Sequence, residues 1–159
     1  MLKILFLCTG NSCRSIMAEG LLNHFGRGRF IAYSAGSFPT GEIHPISLKV
    51  LAEKDINTNG YYSKSWDKFI DKNIDIVITV CDSAAGESCP IFPGKPVKAH
   101  WGVSDPAKFV GTQEEIEKAF KDTCEILETR IHKLLNLSIE KMTKDELQKS
   151  LYAIGIETC

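Results

Sequence analysis

The stretch Leu2-Lys3-Ile4-Leu5-Phe6-Leu7 limits the fold most, because it is apolar at nearly every position and stops abruptly at Cys8-Thr9-Gly10-Asn11-Ser12-Cys13. A strand that alternates so little needs cover on both faces, which puts it inside a sheet. Helical spacing starts at Arg14, so the unit reads as strand, tight loop, helix. In such a loop Cys8 and Arg14 turn toward one point, and successive backbone N–H groups face inward as an anion-binding nest formed by Thr9, Gly10, Asn11, Ser12, Cys13 and Arg14. The helix N-terminus adds positive potential. That field predicts a Cys8 thiol pKa below the usual ~8.5, and hence a thiolate. Arg14 supplies a planar fork able to grip two oxygens of a tetrahedral anion. Taken alone, a cysteine after an apolar strand is a small buried residue. The full spacing, with Gly10 and Asn11 giving the loop backbone freedom, favours the oxyanion trap.

Strands and helices alternate beyond this unit. Ile16, Met17, Leu21, Leu22 and Phe25 mark a helix that Gly26-Arg27-Gly28 ends, and Phe30 to Ser34 is a short strand. Pro45 opens a second helix with Ile46, Leu48, Val50, Leu51 and Ile56 on its apolar side. Ile74 to Val80 is a β-branched buried strand followed at once by Cys81. Asp82 to Pro93 is a loop or short irregular helix, Val97 to His100 a fourth strand, and Trp101 to Pro106 a loop. Thr112 to Glu115 and Thr143 to Glu146 are capping boxes, the first for a long helix carrying Ile116, Phe120, Leu127, Ile131 and Leu134, the second for a tail helix carrying Leu147, Leu151 and Ile154. The result is an α/β fold with a parallel sheet and helices on both faces.

At 159 residues the chain suits one domain able to bury about 70% of its unfolded surface. A net charge of −1 with mixed signs throughout excludes a nucleic-acid or polyanion footprint. The N-terminal apolar run contains Lys3 and is too short for a signal peptide or a membrane span, so a cytoplasmic protein with no membrane partner is expected. Six cysteines, Cys8, Cys13, Cys81, Cys89, Cys124 and Cys159, in a reducing compartment point to nucleophilic or redox roles rather than a static framework.

Cys8-Thr-Gly-Asn-Ser-Cys-Arg-Ser15, followed by Met17-Ala18-Glu19, resembles the low-molecular-weight protein tyrosine phosphatase superfamily, and within it the arsenate reductases built on that fold. The resemblance runs from residue 2 to about 135. It implies a single three-layer domain with a four-stranded parallel sheet in the order 2-1-3-4, here residues 1–137, with a C-terminal helical extension, 138–159, packed on it. In that order the strands ending at Cys8 and Cys81 are neighbours, and ligands bind at the crevice by their carboxyl ends.

The resemblance also implies roles. Cys8 attacks a tetrahedral oxyanion, Ser15 donates to its sulfur, Asn11 steadies the nest, and Asp105, in an Asp-Pro pair that could otherwise be a plain turn, is the general acid. Reduction of arsenate needs two electrons: Cys81 attacks the sulfur of the Cys8–arsenate adduct, arsenite leaves, and Cys89 then attacks Cys81 to carry the disulfide outward to thioredoxin or another thiol reductant. Phosphate or sulfate would compete with arsenate. The gap between Cys81 and Cys89 is one residue longer than in the thioredoxin-coupled pattern. Ala107-Lys108 follow the Asp-Pro pair where tyrosine phosphatases carry aromatics, and His100-Trp101-Gly102 also resembles the reductase branch. Asn11, Glu19 and Ser34 match a potassium-holding set, but Tyr62-Ser63-Lys64 lacks its further carboxylate and Lys64 brings a positive charge, so neither metal nor cofactor is expected. Cys13 is packing or a backup thiol, Cys124 is packing, and Trp101 and Cys159 receive no catalytic role. Two other readings remain: a phosphatase acting on phosphotyrosine or another phosphomonoester, and a structural zinc site of Cys8, Cys13, Cys81 and Cys89, which Arg14 would oppose.

Overall fold

The computed structural model describes residues 1–81 and 94–157. Cys89, Cys159 and the expected Asp82–Pro93 loop lie outside these residues. Four strands, β1 (Leu2–Cys8), β2 (Phe30–Gly36), β3 (Ile76–Thr79) and β4 (Val97–His100), form one parallel sheet in the order β2-β1-β3-β4. This is the expected fold class. β1 is central because its two faces are both apolar. Ile4, Phe6 and Cys8 point into one core cluster, whereas Leu5 and Leu7 point into another with Ala35, Phe69, Ile74 and Val77.

Among the described residues, the first of these faces carries the α-helices. They are α1 (Arg14–Phe25), α2 (Pro45–Glu53), α3 (Gln113–Leu135) and α4 (Lys144–Glu157), and each contributes buried residues to that one cluster. The short 3₁₀ turn Trp66–Phe69 covers part of the opposite face. α1 is buried nearly all round, from Ser15 to Leu22, which explains why its apolar residues fit helical spacing only loosely. Both predicted capping boxes form. Thr112 and Glu115 exchange side-chain-to-backbone bonds of 3.2 and 3.1 Å, and Thr143 and Glu146 do so at 3.1 and 2.9 Å. Leu147, Leu151 and Ile154 join the same core as α1 and α3, so the tail is part of the packing and not an appendage.

One boundary differs from the pattern. Helical spacing runs on to Ile56, but α2 ends at Glu53 and Asp55 turns to φ 59°. Ile56 N–H then donates to Leu51 O at 3.1 Å and Asp55 N–H to Ala52 O at 3.0 Å, a Schellman cap in which Ile56 is the apolar residue folded back onto the helix. No helix among the described residues is long and apolar enough to cross a membrane.

Cys124 lies fully buried on α3, and burial pushes its thiol up to about 12. The ionised thiol is therefore tolerated far better by the unfolded chain. Its contribution to stability is fully present below the ordinary cysteine pKa and is lost as pH climbs from there toward about 12. In urea titrations between about pH 8 and pH 10, Cys124→Ala should lose less stability than the native chain, and iodoacetamide should leave native Cys124 unmodified while the fold holds.

Candidate active site

The loop between β1 and α1 is shaped by what its carbonyls bond to. Cys8, Thr9, Gly10 and Ser12 carbonyls accept from the backbone N–H groups of Ser37, Phe38, Thr40 and His44 at 2.9 to 3.3 Å. Ser63 Oγ adds a bond to Gly10 O, and Ser47 Oγ one to Ser12 O, each at 3.2 Å. With the carbonyls engaged on the outside, the N–H groups turn to the concave side, helped by Asn11 at φ 47°, in the left-handed region. Gly36 is needed here for a steric reason: a Cβ at that position would stand 2.4 Å from Thr9 O.

Cys8 sits at the floor of this nest, 3% exposed. Asn11 N–H reaches its sulfur at 3.2 Å and Ser15 Oγ lies 2.9 Å from it. The direction of the Ser15 bond follows from its neighbours. Lys64 N–H donates to Asn11 Oδ1 at 2.9 Å, which turns the amide nitrogen of Asn11 toward Ser15 Oγ, 2.8 Å away. Ser15 accepts from Asn11, which leaves its own hydrogen free for a Cys8 thiolate. A chain of donors thus runs from the Lys64 backbone to the sulfur.

The sequence predicts a lowered Cys8 thiol pKa, whereas the surroundings of the sulfur raise it. Burial is the largest influence and pushes the thiol up, the Ser15 and Asn11 bonds pull it down, and nearby Cys81 raises it. The bonds that hold the sulfur offset part of that rise.

Arg14 begins α1 and points to the loop after β4. Its Nη1 donates to Val103 O at 3.0 Å, and Nη2 lies 3.5 Å from Asp105 Oδ2. The other Asp105 oxygen accepts Ala107 N–H at 3.0 Å and caps the 3₁₀ turn that Pro106 opens. Asp-Pro is thus both a turn and a carboxylate beside Arg14. On β3, the register Leu7↔Thr79 carries Cys81 past the end of the sheet level with Thr9, whose Oγ1 is 3.5 Å from Cys81 Sγ. Cys8, Cys13, Cys81 and Cys124 are thiols. Cys13 packs in the core, its pKa raised by burial. Arg14, Cys81 and Asp105 open onto a cleft of about 1060 Å³ that continues along Phe109, Ile126 and Tyr152.

Beneath the nest Lys64 is buried with Glu19. Its Nζ is 3.8 Å from Glu19 Oε1, 3.4 Å from Ser34 Oγ and 2.8 Å from Tyr62 O, while Ser34 donates to Glu19 at 2.5 Å. Burial pushes Glu19 up and Lys64 down, each opposed by the other's charge. The ammonium lies beside the hydrogen-bonded Glu19–Ser34 pair, two of the three residues that match the potassium-holding set. What sequence reasoning missed is the Lys64 backbone, which orients Asn11, and Val103, whose carbonyl steadies Arg14; backbone partners carry no residue signature.

The chain belongs to the low molecular weight phosphotyrosine protein phosphatase family, whose family model matches residues 3–150. Relatives named arsenate reductase include one from Shouchella clausii, 39% identical over 130 residues that cover 82% of this chain and 92% of the relative, and one from Bacillus subtilis, 42% identical over 112 residues that cover 70% and 79%. Among solved structures, an arsenate reductase in the phosphate binding state superposes with a TM-score of 0.70 at 28% identity, covering 85% of this chain and 97% of its own. The thioredoxin-dependent arsenate reductase of Corynebacterium glutamicum gives 0.60 at 30%, covering 83% and 62%. A low molecular weight protein tyrosine phosphatase from T. tengcongensis gives 0.68 at 27%, covering 89% and 100%.

Two variants probe the site. Ser15→Ala removes the hydroxyl donor, so the pH midpoint for iodoacetate alkylation of Cys8 should rise by about one to two units, the worth of one hydrogen bond to a charged group. Glu19→Gln leaves the Lys64 ammonium buried without its counter-charge and should cost about 3 kcal/mol in urea unfolding. Adding Lys64→Met should recover part of that loss.

Proposed function

We propose that the chain is an arsenate reductase working through a thiol relay. The observation that carries this is the pairing of Cys8, held by donors from Ser15 and Asn11, with a second sulfur, Cys81, beside Thr9 of the same loop. Arsenate is gripped by the N–H groups of Thr9 to Cys13 and by the Arg14 fork. The Cys8 thiolate forms a bond to arsenic, an As–O bond breaks, and the departing oxygen leaves as water with a proton from Asp105. Cys81 then attacks Cys8 Sγ. A sulfur–sulfur bond forms, the electron pair of the S–As bond stays on arsenic, and arsenite leaves with arsenic reduced by two electrons. Cys89 attacks Cys81, restoring Cys8 and leaving a Cys81–Cys89 disulfide for thioredoxin or another dithiol to reduce. Phosphate and sulfate compete at the nest because they share arsenate's shape and charge. The thiol chemistry needs neither cofactor nor metal, and the setting proposed is the cytoplasm.

A second reading, hydrolysis of phosphomonoesters, is favoured by the cleft. A tetrahedral inorganic anion uses only the nest, whereas the space running from Arg14 and Asp105 to Phe109 and Tyr152 would take an organic group. Attack by Cys8 and protonation by Asp105 are common to both reactions; Cys81 is needed only for reduction.

Arsenite should accumulate when the protein is given arsenate with thioredoxin, its reductase and a nicotinamide reductant. Cys8→Ser should abolish arsenate reduction and any aryl phosphate hydrolysis. Cys81→Ser should drop arsenate turnover to the uncatalysed background while sparing hydrolysis. Arsenate turnover left intact in that variant would sink the relay.

A further inference from the structure

Arg130 of α3 is fully buried, and no step of the chemistry above uses it. Its Nη1 donates to Trp101 O at 2.8 Å, and its Nη2 to Gly102 O at 3.1 Å and Gly155 O at 3.3 Å. Taking a guanidinium out of water is costly, and the planar fork can hold several acceptors at once where an apolar side chain holds none. Among the described residues, the acceptors are two successive carbonyls at the start of the loop that carries Asp105, and one carbonyl of α4.

That loop is fastened on both sides. Its N–H groups bond to the end of β3, Trp101 N–H to Thr79 O at 2.7 Å and Val103 N–H to Val80 O at 3.2 Å. Its carbonyls go to arginines, Trp101 and Gly102 to Arg130, and Val103 to Arg14 at 3.0 Å. Arg14 also serves the nest, so when its fork turns to an anion the arginine anchor that stays is Arg130. α4 closes the clamp: Trp101 Nε1–H donates to Leu151 O at 2.8 Å, and Gly155 packs so tightly that a Cβ there would stand 2.4 Å from His100 O.

We propose that Arg130 is a positioning residue that clamps the Trp101–Asp105 loop to the C-terminal helix, so that α4 sets where Asp105 stands relative to Cys8. The proposal rests on Asp105 being the general acid. It gives the tail helix a part in the reaction that its distance in sequence from the nest conceals.

The test uses Arg130→Lys, which keeps the charge but cannot span three carbonyls, and Gly155→Ala, which strains the same contact from α4 without touching a charge. Hydrogen exchange is read by mass spectrometry beside kcat and KM for arsenate and inhibition by phosphate. In both variants the amides of residues 102–105 should exchange about ten-fold faster and kcat should fall about ten-fold, while KM and phosphate inhibition change by less than about two-fold. Unchanged loop exchange overturns the clamp, whatever happens to kcat. So does protection lost equally from β1 and α1, which marks general loosening. Asp105→Asn is run in parallel. If it leaves kcat intact the acid reading fails, and the link from α4 to catalysis fails with it, while the exchange result still decides whether Arg130 holds the loop.

Discussion

The site depends on the bond from Lys64 N–H to Asn11 Oδ1. An amide side chain has two ends that look alike in shape and opposite in hydrogen bonding. Pinning the oxygen to a backbone donor leaves the nitrogen to face Ser15, whose own hydrogen is then available to a Cys8 thiolate. Without that orientation the hydroxyl could accept from the thiol instead of donating to a thiolate, and a sulfur buried this deeply would have little reason to ionise. The arrangement needs the segment after β2 to run alongside the nest. Gly36 permits this by leaving room against Thr9 O, while its N–H bonds to Lys64 O at 2.9 Å.

β1 is the scaffold for both sulfurs. As the central strand it fixes Cys8 at its own end and, through its register with β3, brings Cys81 alongside Thr9. Parallel strands bring all carboxyl ends to one edge, so residues far apart in sequence gather there. Arg14 bridges this edge to the loop after β4, holding Val103 and facing Asp105. The two sulfurs are close enough that Cys81 adds a little to the rise in the Cys8 thiol pKa.

Lys64 and Glu19 show how a local deficit in the nest is met from below. A buried carboxylate is costly unless it is neutralised, and here an ammonium lies against it with Ser34 and the Tyr62 carbonyl completing its bonds. The same Lys64 whose backbone orients Asn11 thus places its side chain beneath the loop, so one residue ties the positive charge to the hydrogen-bond chain.

Much of this was legible in the residues themselves. The apolar run to Leu7, the Cys8-to-Arg14 spacing, both capping boxes and the core faces of α3 and α4 follow from local rules, since strand burial, helix period and cap chemistry act within a few positions. α2 was read too long because Ile56 keeps helical spacing while belonging to the cap. The strand order came from family resemblance, not from spacing. What the chain alone determined is the nest and the elements on either side of it. What only the tertiary structure decided is the balance of forces on Cys8 and the fastening of the Asp105 loop, because both depend on burial and on backbone groups from Lys64, Val103 and Gly155. Those groups are identical in every residue, and only their position in space gives them a role.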